Sequence, residues 1–300
     1  MTNYHTPVML RECIEGLAIK SDGIYVDVTF GGGGHSKEIL KHLGAGGRLL
    51  AFDQDADARR NIPADDRLTF IDQNFRYLKN YCRLNNAVPV DGILADLGVS
   101  SHQFDQPERG FSTRFDADLD MRMDQSSSIT AKQLLNTYSE EDLHRIFGMY
   151  GEIKNAKSLA RTVVTARLNA PIETVSQFKE VIRTLIPRGK ENKYMAQVFQ
   201  GLRIEVNQEL DALQEFLEQA ADILKVGGRL VVMSYHSLED RLVKNYINTG
   251  KFRGDVTKDF FGNPVKPLTA ITRKSVTASE EEIEQNNRAR SARLRIAEKR

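Results

Sequence analysis

Hydrophobic residues along this chain occur in two patterns: short apolar runs typical of buried strands, and apolar positions three or four residues apart, typical of helices. The first four runs are separated by helical or polar stretches of the length that connects strands in an α/β sheet. A fifth run follows after a long interval. The predicted strands are Tyr25–Thr29, Arg48–Asp53, Leu68–Asp72, Gly92–Asp96 and Arg229–Ser234. The pattern predicts an α/β fold whose doubly wound sheet is interrupted once along the chain.

The interval between the fourth and fifth strands predicts helices only. From about Phe104 to Lys193 there is no convincing strand pattern, whereas Ser139 and Thr174 each begin a capping box followed by apolar residues at helical spacing. The helical pattern continues from Val198 to Leu224. We therefore predict an inserted helical subdomain over residues 106–194, within a core formed by residues 1–105 and 195–300.

The C-terminal part of the chain returns to the core. Ser237–Asp240 fits a capping box for a helix after the fifth strand. Residues 250–268 contain four Lys or Arg, three Phe and two Pro, and we expect an exposed loop there. From Arg288 to Arg300 there are six basic residues and one acidic residue. That tail is interpreted either as a solvated terminal strand or as an edge that contacts phosphate.

Composition narrows the class of protein. The net charge is only +1, so the overall charge does not argue for nucleic-acid binding. Cys13 and Cys82 are isolated, and the six histidines include no pair four residues apart, so neither a disulfide framework nor a metal site is expected. The sequence has neither a secretory signal pattern nor an apolar stretch of the roughly 20 residues that span a bilayer. We therefore expect a cytoplasmic protein without a membrane partner; no pattern fixes its oligomeric state.

Four consecutive glycines, Gly31–Gly34, follow the first strand and precede His35, Ser36 and a helical pattern. Bare backbone at the end of a strand, facing a helix N-terminus, lets a small ligand approach closely. In an open α/β sheet this is the position of nucleotide-like cofactors. The run lacks the third glycine of the dinucleotide fingerprint, and a flexible tight turn is the alternative interpretation.

Asp53 ends the second strand, twenty residues after Gly33. A carboxylate at that point accepts hydrogen bonds from a ribose diol. The alternative is a helix N-cap, a role that Asp55 also fits. Nicotinamide and S-adenosylmethionine sites share this geometry, so glycines and Asp53 alone do not separate the two.

The fourth strand ends in Asp96-Leu97-Gly98-Val99-Ser100, which brings an acid, a glycine and a hydroxyl to the point where the sheet would meet the transferring group. Phe75 follows the third strand, where an adenine would stack, although a core position is the alternative. His236 follows the fifth strand, and its alternative role is structural. The chain has no Gly-x-Ser-x-Gly elbow and no phosphate loop ending in Gly-Lys-Ser/Thr.

Nine sequence blocks occur in order from near residue 5 to near residue 297, and together they cover essentially the whole chain. They are His5–Val8, Gly31–Ser36, Asp91–Ser101, Glu108–Ser112, Leu119–Asp124, Tyr150–Glu152, Phe199–Ile204, His236–Arg241 and Arg288–Ala292. In this set, of which Leu119–Asp124 and Ser237–Arg241 are the most specific, the chain resembles the bacterial 16S rRNA cytosine-N4 methyltransferases.

The resemblance implies a class I S-adenosylmethionine-dependent methyltransferase fold, Rossmann-like, with an inserted helical subdomain for substrate recognition. It implies S-adenosylmethionine as cofactor and 16S rRNA as partner, within the small ribosomal subunit. The implied reaction methylates N4 of cytidine 1402 in the decoding region. By position, cofactor contacts carry over to Gly33, Gly34, His35, Asp53, Phe75, Asp96 and Gln103.

The chain departs from the family pattern at three places. Ala117-Asp118 replaces Gly-Pro, Lys193–Val198 replaces a Pro-Ala-Thr-Arg-rich run, and Asn287 replaces Pro. The first two lie in the insert or at its exit, so they affect the expected substrate side and leave the cofactor pocket as expected.

Methylation at cytosine N4 faces one difficulty, because the N4 lone pair is delocalised into the ring. Hydrogen-bond acceptors that hold the two N–H groups would tilt this lone pair toward the methyl group. The candidates are the Asp96 carboxylate, a carbonyl at Leu97 or Gly98, and Ser100, and the sequence leaves the choice open. Amino-methylating sites often use Asp/Asn-Pro-Pro-Tyr, so the aromatic residue is missing from its expected place here.

A cytidine must leave its stack to be reached. Candidates for contact with the RNA are Arg109, Arg114, Arg122, Arg203, His236 and Arg241, each with a structural interaction as the alternative. Phe104, Phe111 and Phe115 form either a base-stacking surface or part of the insert's core. Two other functions stay open: a nicotinamide-dependent oxidoreductase, and a non-catalytic assembly or RNA-binding factor on the same fold.

Overall fold

A computed structural model describes residues 7–300; His5 and Thr6 of the first matching block lie outside this range. The chain divides into two compact units, one formed by the residues up to Gly98 together with Leu210–Arg300, the other by Val99–Glu209. In chain order the helices are α1 (Leu10–Leu17), α2 (Gly34–His42), α3 (Leu78–Leu84), α4 (Ser101–Asp105), α5 (Ala131–Thr137), α6 (Glu140–Arg145), α7 (Ala156–Arg167), α8 (Val175–Ile182), α9 (Glu191–Asn207), α10 (Glu209–Ile223), α11 (Ser237–Thr249) and α12 (Glu280–Gln285). Within residues 7–300, none of the helices combines the length and the apolar character needed to cross a membrane.

The first unit contains one seven-stranded sheet. Its strands are β1 (Ile24–Asp27), β2 (Arg48–Phe52), β3 (Leu68–Ile71), β4 (Val90–Asp96), β5 (Leu224–Ser234), β6 (Leu268–Ala270) and β7 (Arg293–Lys299), in the spatial order β3-β2-β1-β4-β5-β7-β6. The first five are parallel, and β7 is antiparallel to both β5 and β6. With the helical unit inserted between β4 and β5 in the chain, this topology confirms the predicted class I methyltransferase fold.

The basic C-terminal tail contains β7, which confirms the expected strand, but this strand is neither solvated nor at an edge of the sheet, and a contact of the tail with phosphate stays a prediction. β7 pairs with β5 on one side and with β6 on the other. Leu294 and Ala297 are fully buried, and the Arg295 guanidinium forms a bidentate ion pair with Asp240 of α11, at 2.7 and 2.9 Å. Counting charges in the tail missed the alternating apolar residues that place this strand inside the sheet.

The central strands are buried on both faces, as expected for a parallel sheet covered by helices. Alternate residues of one strand enter different clusters: Val26, Leu50 and Val232 pack with α3, α10 and α11, whereas Tyr25 and Leu49 pack with α1 and α2. This two-sided burial explains why the strands appear in the sequence as continuous apolar runs. Those runs predicted each of the first five strands, although β5 begins at Leu224, five residues before the expected start.

The second unit is helical and has its own core, built around fully buried residues such as Phe147, Phe178 and Leu202. The predicted capping residues are confirmed, because Thr174 accepts from Gln177 N at the start of α8 and Ser139 accepts from Asp142 N at the start of α6. The unit extends beyond the predicted boundaries of 106 and 194 at both ends. Helix α9 contributes apolar side chains to this core, and the helical pattern breaks only at Gln208, whose φ is 50°.

Two glycines of this unit, Gly110 and Gly189, adopt left-handed backbone conformations with φ near +70°. A Cβ on Gly110 would lie 2.4 Å from the Asp118 carbonyl oxygen, whereas a Cβ on Gly189 would meet nothing within 4 Å. Gly189→Ala is expected to lower the free energy of unfolding by about 1–2 kcal/mol, through backbone strain alone. Gly110→Ala is expected to cost a further ~1–3 kcal/mol, because the backbone must move. Denaturant unfolding of both variants measures the difference, and equal losses would contradict the close approach at Gly110.

Candidate functional site

Polar side chains of the first unit gather at the carboxyl ends of its parallel strands. Asp27 ends β1, Asp53 directly follows β2, Asp96 ends β4 and Tyr235 directly follows β5. Because β2, β1, β4 and β5 are adjacent and parallel, these residues share one edge of the sheet. Ligands of open α/β sheets bind at this edge.

The glycine run forms the turn between β1 and α2. Gly33 has a φ of 74° and is the N-cap residue of α2, so a left-handed residue is required there. A Cβ on Gly34 would lie 2.1 Å from Pro7, whereas a Cβ on Gly31 would meet no atom closer than 4.0 Å. Packing of the protein itself therefore requires glycine at positions 33 and 34, while Gly31 leaves room for a ligand. The predicted cofactor contacts of Gly33 and Gly34 stay predictions.

Asp53 joins β2 to the glycine turn. Its Oδ2 accepts from Gly31 N at 2.7 Å, and its Oδ1 accepts from Asp55 N at 2.8 Å. Asp55 is the N-cap of the 3₁₀ helix Ala56–Asn61, so that role does not fall to Asp53. Burial raises the pKa of Asp53 to about 6, against the opposing effect of the two N–H donors. Each carboxylate oxygen still has a lone pair to accept from a further donor.

Asp27 is a functional candidate that the sequence reasoning missed. Its side chain is buried, with Oδ2 accepting from Ser36 Oγ at 2.7 Å and Oδ1 from Thr29 N at 3.1 Å. Burial raises its pKa. The signal was present in the sequence, because an acid inside an otherwise apolar strand needs a local partner. The contact with Ser36 ties β1 to the first turn of α2.

Asp96 makes the contacts expected of a chemically active group. Its Oδ1 accepts from the Tyr235 hydroxyl at 2.7 Å, and its backbone N donates to Thr29 Oγ1 at 2.6 Å. Its Oδ2 lies 3.8 Å from His35 Nδ1, and 23% of the side chain is exposed. Burial raises the pKa of Asp96 to about 6, while the Tyr235 hydrogen bond acts in the opposite direction. At neutral pH most of this carboxyl group is ionised.

His35 is buried beneath the glycine turn. Its Nε2 lies 3.2 Å from the Val8 carbonyl oxygen, which assigns the proton to Nε2 and leaves Nδ1 as an acceptor. Burial lowers the pKa of His35, so a neutral imidazole faces Asp96. The structure thus brings His35 and Asp96 together as neighbours, and their predicted contacts with a cofactor stay predictions.

Tyr235 supplies an aromatic ring at the place where the sequence seemed to lack one. A Cβ on Gly98, which has a φ of 90°, would lie 3.4 Å from Tyr235 Cδ2, so the ring lies against bare backbone just beyond Asp96. The residues after Asp96 contain no aromatic, but β5 is the parallel neighbour of β4 and ends beside it. The signal that could have found Tyr235 is its position directly after the fifth strand.

His236 begins α11, which corrects the predicted capping box at Ser237. The N-cap residue is His236 and the third helical residue is Glu239, whose Oε2 accepts from Tyr235 N at 2.9 Å. His236 Nε2 lies 3.2 Å from Glu239 Oε1. Glu239 thus fixes the backbone of Tyr235, whereas both buried ring nitrogens of His236 lack a hydrogen-bond partner among the described residues, and the predicted contact of His236 with RNA stays a prediction. Arg241 is exposed further along α11.

Phe75 lies in the 3₁₀ helix Phe75–Tyr77 and packs against the main core of the first unit. Its ring centroid is 5.4 Å from that of Phe216, with an interplanar angle of 66°. The core interpretation is therefore correct for part of its surface. Adenine stacking at Phe75 stays a prediction.

The predicted site residues of the second unit make local contacts. Ser100 and Gln103 form a complete capping box at the start of α4, and each accepts from the backbone N of the other at 3.1 Å. Arg109 is 4% exposed and donates to the carbonyl oxygens of Arg122 and Met123 at 3.0 Å. These contacts favour structural roles for Arg109 and for the capping pair.

Two further arginines of this unit are held by carboxylates. Arg122 forms a bidentate pair with Asp120 at 2.7 and 2.8 Å, and Arg203 forms one with Glu209 at 2.8 and 2.9 Å. Phe111 is buried in the helical core. The mostly exposed Arg114 guanidinium lies 3.4 Å from Asp105 Oδ1 and over the rings of Phe104 and Phe115, 5.5 and 5.8 Å from their centroids. Of the predicted RNA contacts in this unit, only this group presents an aromatic and cationic surface.

Comparisons by sequence with known proteins cover almost the whole chain. A model of the MraW methylase family matches residues 2–300. Ribosomal RNA small subunit methyltransferase H of Cytophaga hutchinsonii is 60% identical over 298 residues, which cover 99% of each chain. The protein of the same name from Flavobacterium johnsoniae is 58% identical over 99% of this chain and 98% of its own. Among solved structures, an rRNA methylase from Streptococcus thermophilus aligns over 97% of this chain and 93% of its own, with 15% identity and a TM-score of 0.42.

The contact between Tyr235 and Asp96 makes a prediction about acidity. Tyr235→Phe keeps the ring but removes a hydroxyl donor that stabilises the ionised carboxylate, so the pKa of Asp96 should rise above its present value of about 6. An NMR pH titration of the Asp96 side-chain carboxyl carbon measures this shift. The other groups that act on Asp96 are unchanged: His35, Asp27, Glu239 and Cys13. Tyr246→Phe, which removes another largely buried hydroxyl of the same unit, is the control, and an unchanged Asp96 pKa in Tyr235→Phe would refute the prediction.

Proposed function

Since this chain belongs to the MraW methylase family, we propose that it transfers a methyl group from S-adenosylmethionine to the exocyclic N4 of a cytidine in 16S ribosomal RNA. The proposed target is cytidine 1402 in the decoding region, within the small ribosomal subunit. The proposed location of the protein is the cytoplasm. The observation that carries the proposal is a partly accessible carboxylate, Asp96, held by Tyr235 at the ligand-binding edge of the sheet.

The residues at this edge fit the proposed cofactor. Asp53 has acceptor capacity left for a ribose diol, and it lies against Gly31, where a Cβ would meet open space. Asp27, Asp53 and Asp96 make the edge anionic, which suits a ligand with a positive sulfonium. When bound, S-adenosylmethionine supplies a methyl group that is already electrophilic, so no metal is required. Gly33, Gly34, His35, Phe75 and Gln103 complete the set of proposed contacts.

Asp96 is the proposed acceptor for the cytosine amino group. With Oδ1 occupied by the Tyr235 hydroxyl, Oδ2 is the oxygen available to accept an N4–H hydrogen bond. As the N4–methyl bond formed, the bond from that methyl group to sulfur would break and leave a neutral thioether; N4 would lose one proton, which Asp96 would take. A pKa of about 6 keeps this carboxylate ionised at neutral pH and yet more basic than an ordinary aspartate. Among the alternatives, Ser100 Oγ already accepts from Gln103 N, which favours Asp96 over Ser100.

Tyr235 is proposed to form one wall of the pocket for the base. Its ring lies against Gly98, and its backbone N is fixed by Glu239. A ring held in this way would stack on a flipped cytosine and align N4 with the methyl group. Catalysis would then depend mainly on positioning, which is worth several kcal/mol in well-oriented reactions.

The principal alternative is a non-catalytic assembly or RNA-binding factor that keeps the fold and the cofactor. It predicts cofactor binding without methyl transfer to any RNA. A nicotinamide-dependent oxidoreductase is disfavoured by the match to a methylase family over residues 2–300.

Methyl transfer from radiolabelled S-adenosylmethionine tests the proposal directly. The substrates are small subunits that lack the modification and, in parallel, protein-free 16S rRNA, with the label located by nuclease digestion and mass spectrometry. We expect label on N4 of one decoding-region cytidine. Asp96→Asn, which keeps the shape but cannot take a proton, should slow transfer by about 10²–10⁴-fold. Cofactor binding with no label on either substrate would favour the assembly factor instead.

Asp53→Ala tests the proposed ribose contact. The loss of a charged acceptor should weaken S-adenosylmethionine binding by about 1–3 kcal/mol, measured by calorimetry. Asp66→Ala is the matched control, because Asp66 is an exposed aspartate of the same unit. The assignment fails if folded Asp53→Ala protein binds the cofactor as tightly as the control does.

A further inference from the structure

The segment between α11 and β6 carries the two most exposed large apolar side chains in the described part of the chain. Phe260 is 97% exposed and Phe261 is 85% exposed. They lie at the tip of a hairpin closed by the pairing of Lys258 with Pro264 and by a 2.7 Å hydrogen bond from Val265 N to Thr257 O. We call residues 257–265 the aromatic hairpin. The sequence had indicated an exposed loop here, but not this presentation of two rings.

Hydrogen bonds of Asp259 hold the tip in a defined turn. Its Oδ1 accepts from Phe261 N at 2.9 Å and from Asn263 N at 2.8 Å, and its Oδ2 accepts from Asn263 Nδ2 at 3.1 Å. These donors lower the pKa of Asp259. Gly262, with a φ of 81°, completes the reversal. The two rings meet edge to face with centroids 5.5 Å apart, so an ordered turn presents them to solvent.

Basic residues near the two rings in the sequence have no ion-pair partner among the described residues. Residues 250–268 contain Lys251, Arg253, Lys258 and Lys266 against two acids, and the carboxylate of Asp259 is already used within the turn. Among residues 7–300, no ion pair joins any of these four side chains to a carboxylate. They differ in this from Arg109, Arg122 and Arg203 of the second unit, which are held by carboxylates or carbonyl groups.

A fifth cation lies at the base of the hairpin. The Arg300 guanidinium donates to Pro264 O at 3.3 Å and to Thr269 Oγ1 at 2.7 Å. Burial and the positive charge of Arg300 together lower the pKa of Lys266. Two like charges held next to each other form a local positive potential that an anion would relieve.

We propose that the aromatic hairpin is an RNA contact surface, in which unpaired bases stack on Phe260 and Phe261 and phosphates lie near Lys258 and Lys266. This inference rests on the proposed function, because that function makes ribosomal RNA the substrate. Phenyl rings stack on any base, and nearby cations follow the backbone, which is how proteins bind single-stranded nucleic acid. Unpaired loops are also the RNA elements whose bases are free to stack on side chains. The charge beside the rings favours this occupant over an apolar protein surface.

The double variant Phe260→Ala/Phe261→Ala tests the stacking component. Its affinity for protein-free 16S rRNA should fall about 10-fold or more, because two stacking contacts are lost. Its affinity for S-adenosylmethionine, measured by calorimetry, should not change. Val226→Ala is the matched control, since Val226 is an exposed apolar residue of the same unit at 81% exposure. RNA affinity equal to that of the control would overturn the proposal.

Lys258→Ala and Lys266→Ala test the phosphate component. Each should reduce the slope of log affinity against log salt concentration by about one, because each removes one phosphate contact. An unchanged slope in both variants would count against it. If the variants lost affinity for assembled subunits but kept their affinity for protein-free RNA, the hairpin would be assigned to a contact with a ribosomal protein. That result would also overturn the proposal.

Binding and methyl transfer are measured separately, so the two proposals fail separately. Wild-type protein that binds RNA through the hairpin but transfers no methyl group would refute the proposed function and leave the hairpin assignment standing. Wild-type protein that methylates RNA, with the double variant equal to it in RNA binding, would refute the hairpin assignment alone.

Discussion

Three carboxylates at the carboxyl ends of the parallel strands, Asp27 buried and Asp53 and Asp96 half-buried, are the constraint on which the rest of the site depends. An ionised carboxylate removed from water is costly unless donors surround it, so each of these side chains dictates local structure. Asp27 holds Ser36 at the start of α2, Asp53 holds the glycine turn at Gly31, and Asp96 holds Tyr235 at the end of β5. Together they join the ends of three strands to the loops that would contact a cofactor.

The raised pKa values of these carboxyl groups lower the free energy of unfolding at neutral pH. The pKa values of Asp53 and Asp96 are raised to about 6, above the ordinary value near 4, so the folded protein binds more protons than the unfolded chain between these limits. The free energy of unfolding therefore falls as the pH rises through that window. Functional sites often contain such groups, because a carboxylate with a raised pKa accepts a proton more readily than an ordinary one. Asp96 combines this property with partial exposure, which a purely structural carboxylate would not need.

Much of the fold could be predicted because its strands are buried on both faces and its helices begin at capping residues. What could not be predicted depends on contacts between distant segments. The basic tail contains six cations, yet its apolar residues place β7 inside the sheet. Arg295 can be buried there because it forms an ion pair with Asp240 of α11. Tyr235 was missed for a similar reason, because its partner Asp96 is 139 residues away in the chain. Local patterns of charge and spacing do not contain such pairings.

The dependence on contacts between distant segments also explains which basic side chains are available to contact RNA. The sequence nominated arginines by type, but Arg109, Arg122 and Arg203 are held by carbonyl groups or carboxylates inside the helical unit. A protein with a net charge of +1 has little long-range attraction for a polyanion, so binding must come from local surfaces. In the described part of the chain Lys258 and Lys266 form no ion pair, and Lys258 lies in the same hairpin as two rings that an ordered turn presents to solvent. Arg109, Arg122 and Arg203 are thus tied to the protein itself, whereas the exposed Lys258 is not, which supports the proposed RNA contact of the hairpin.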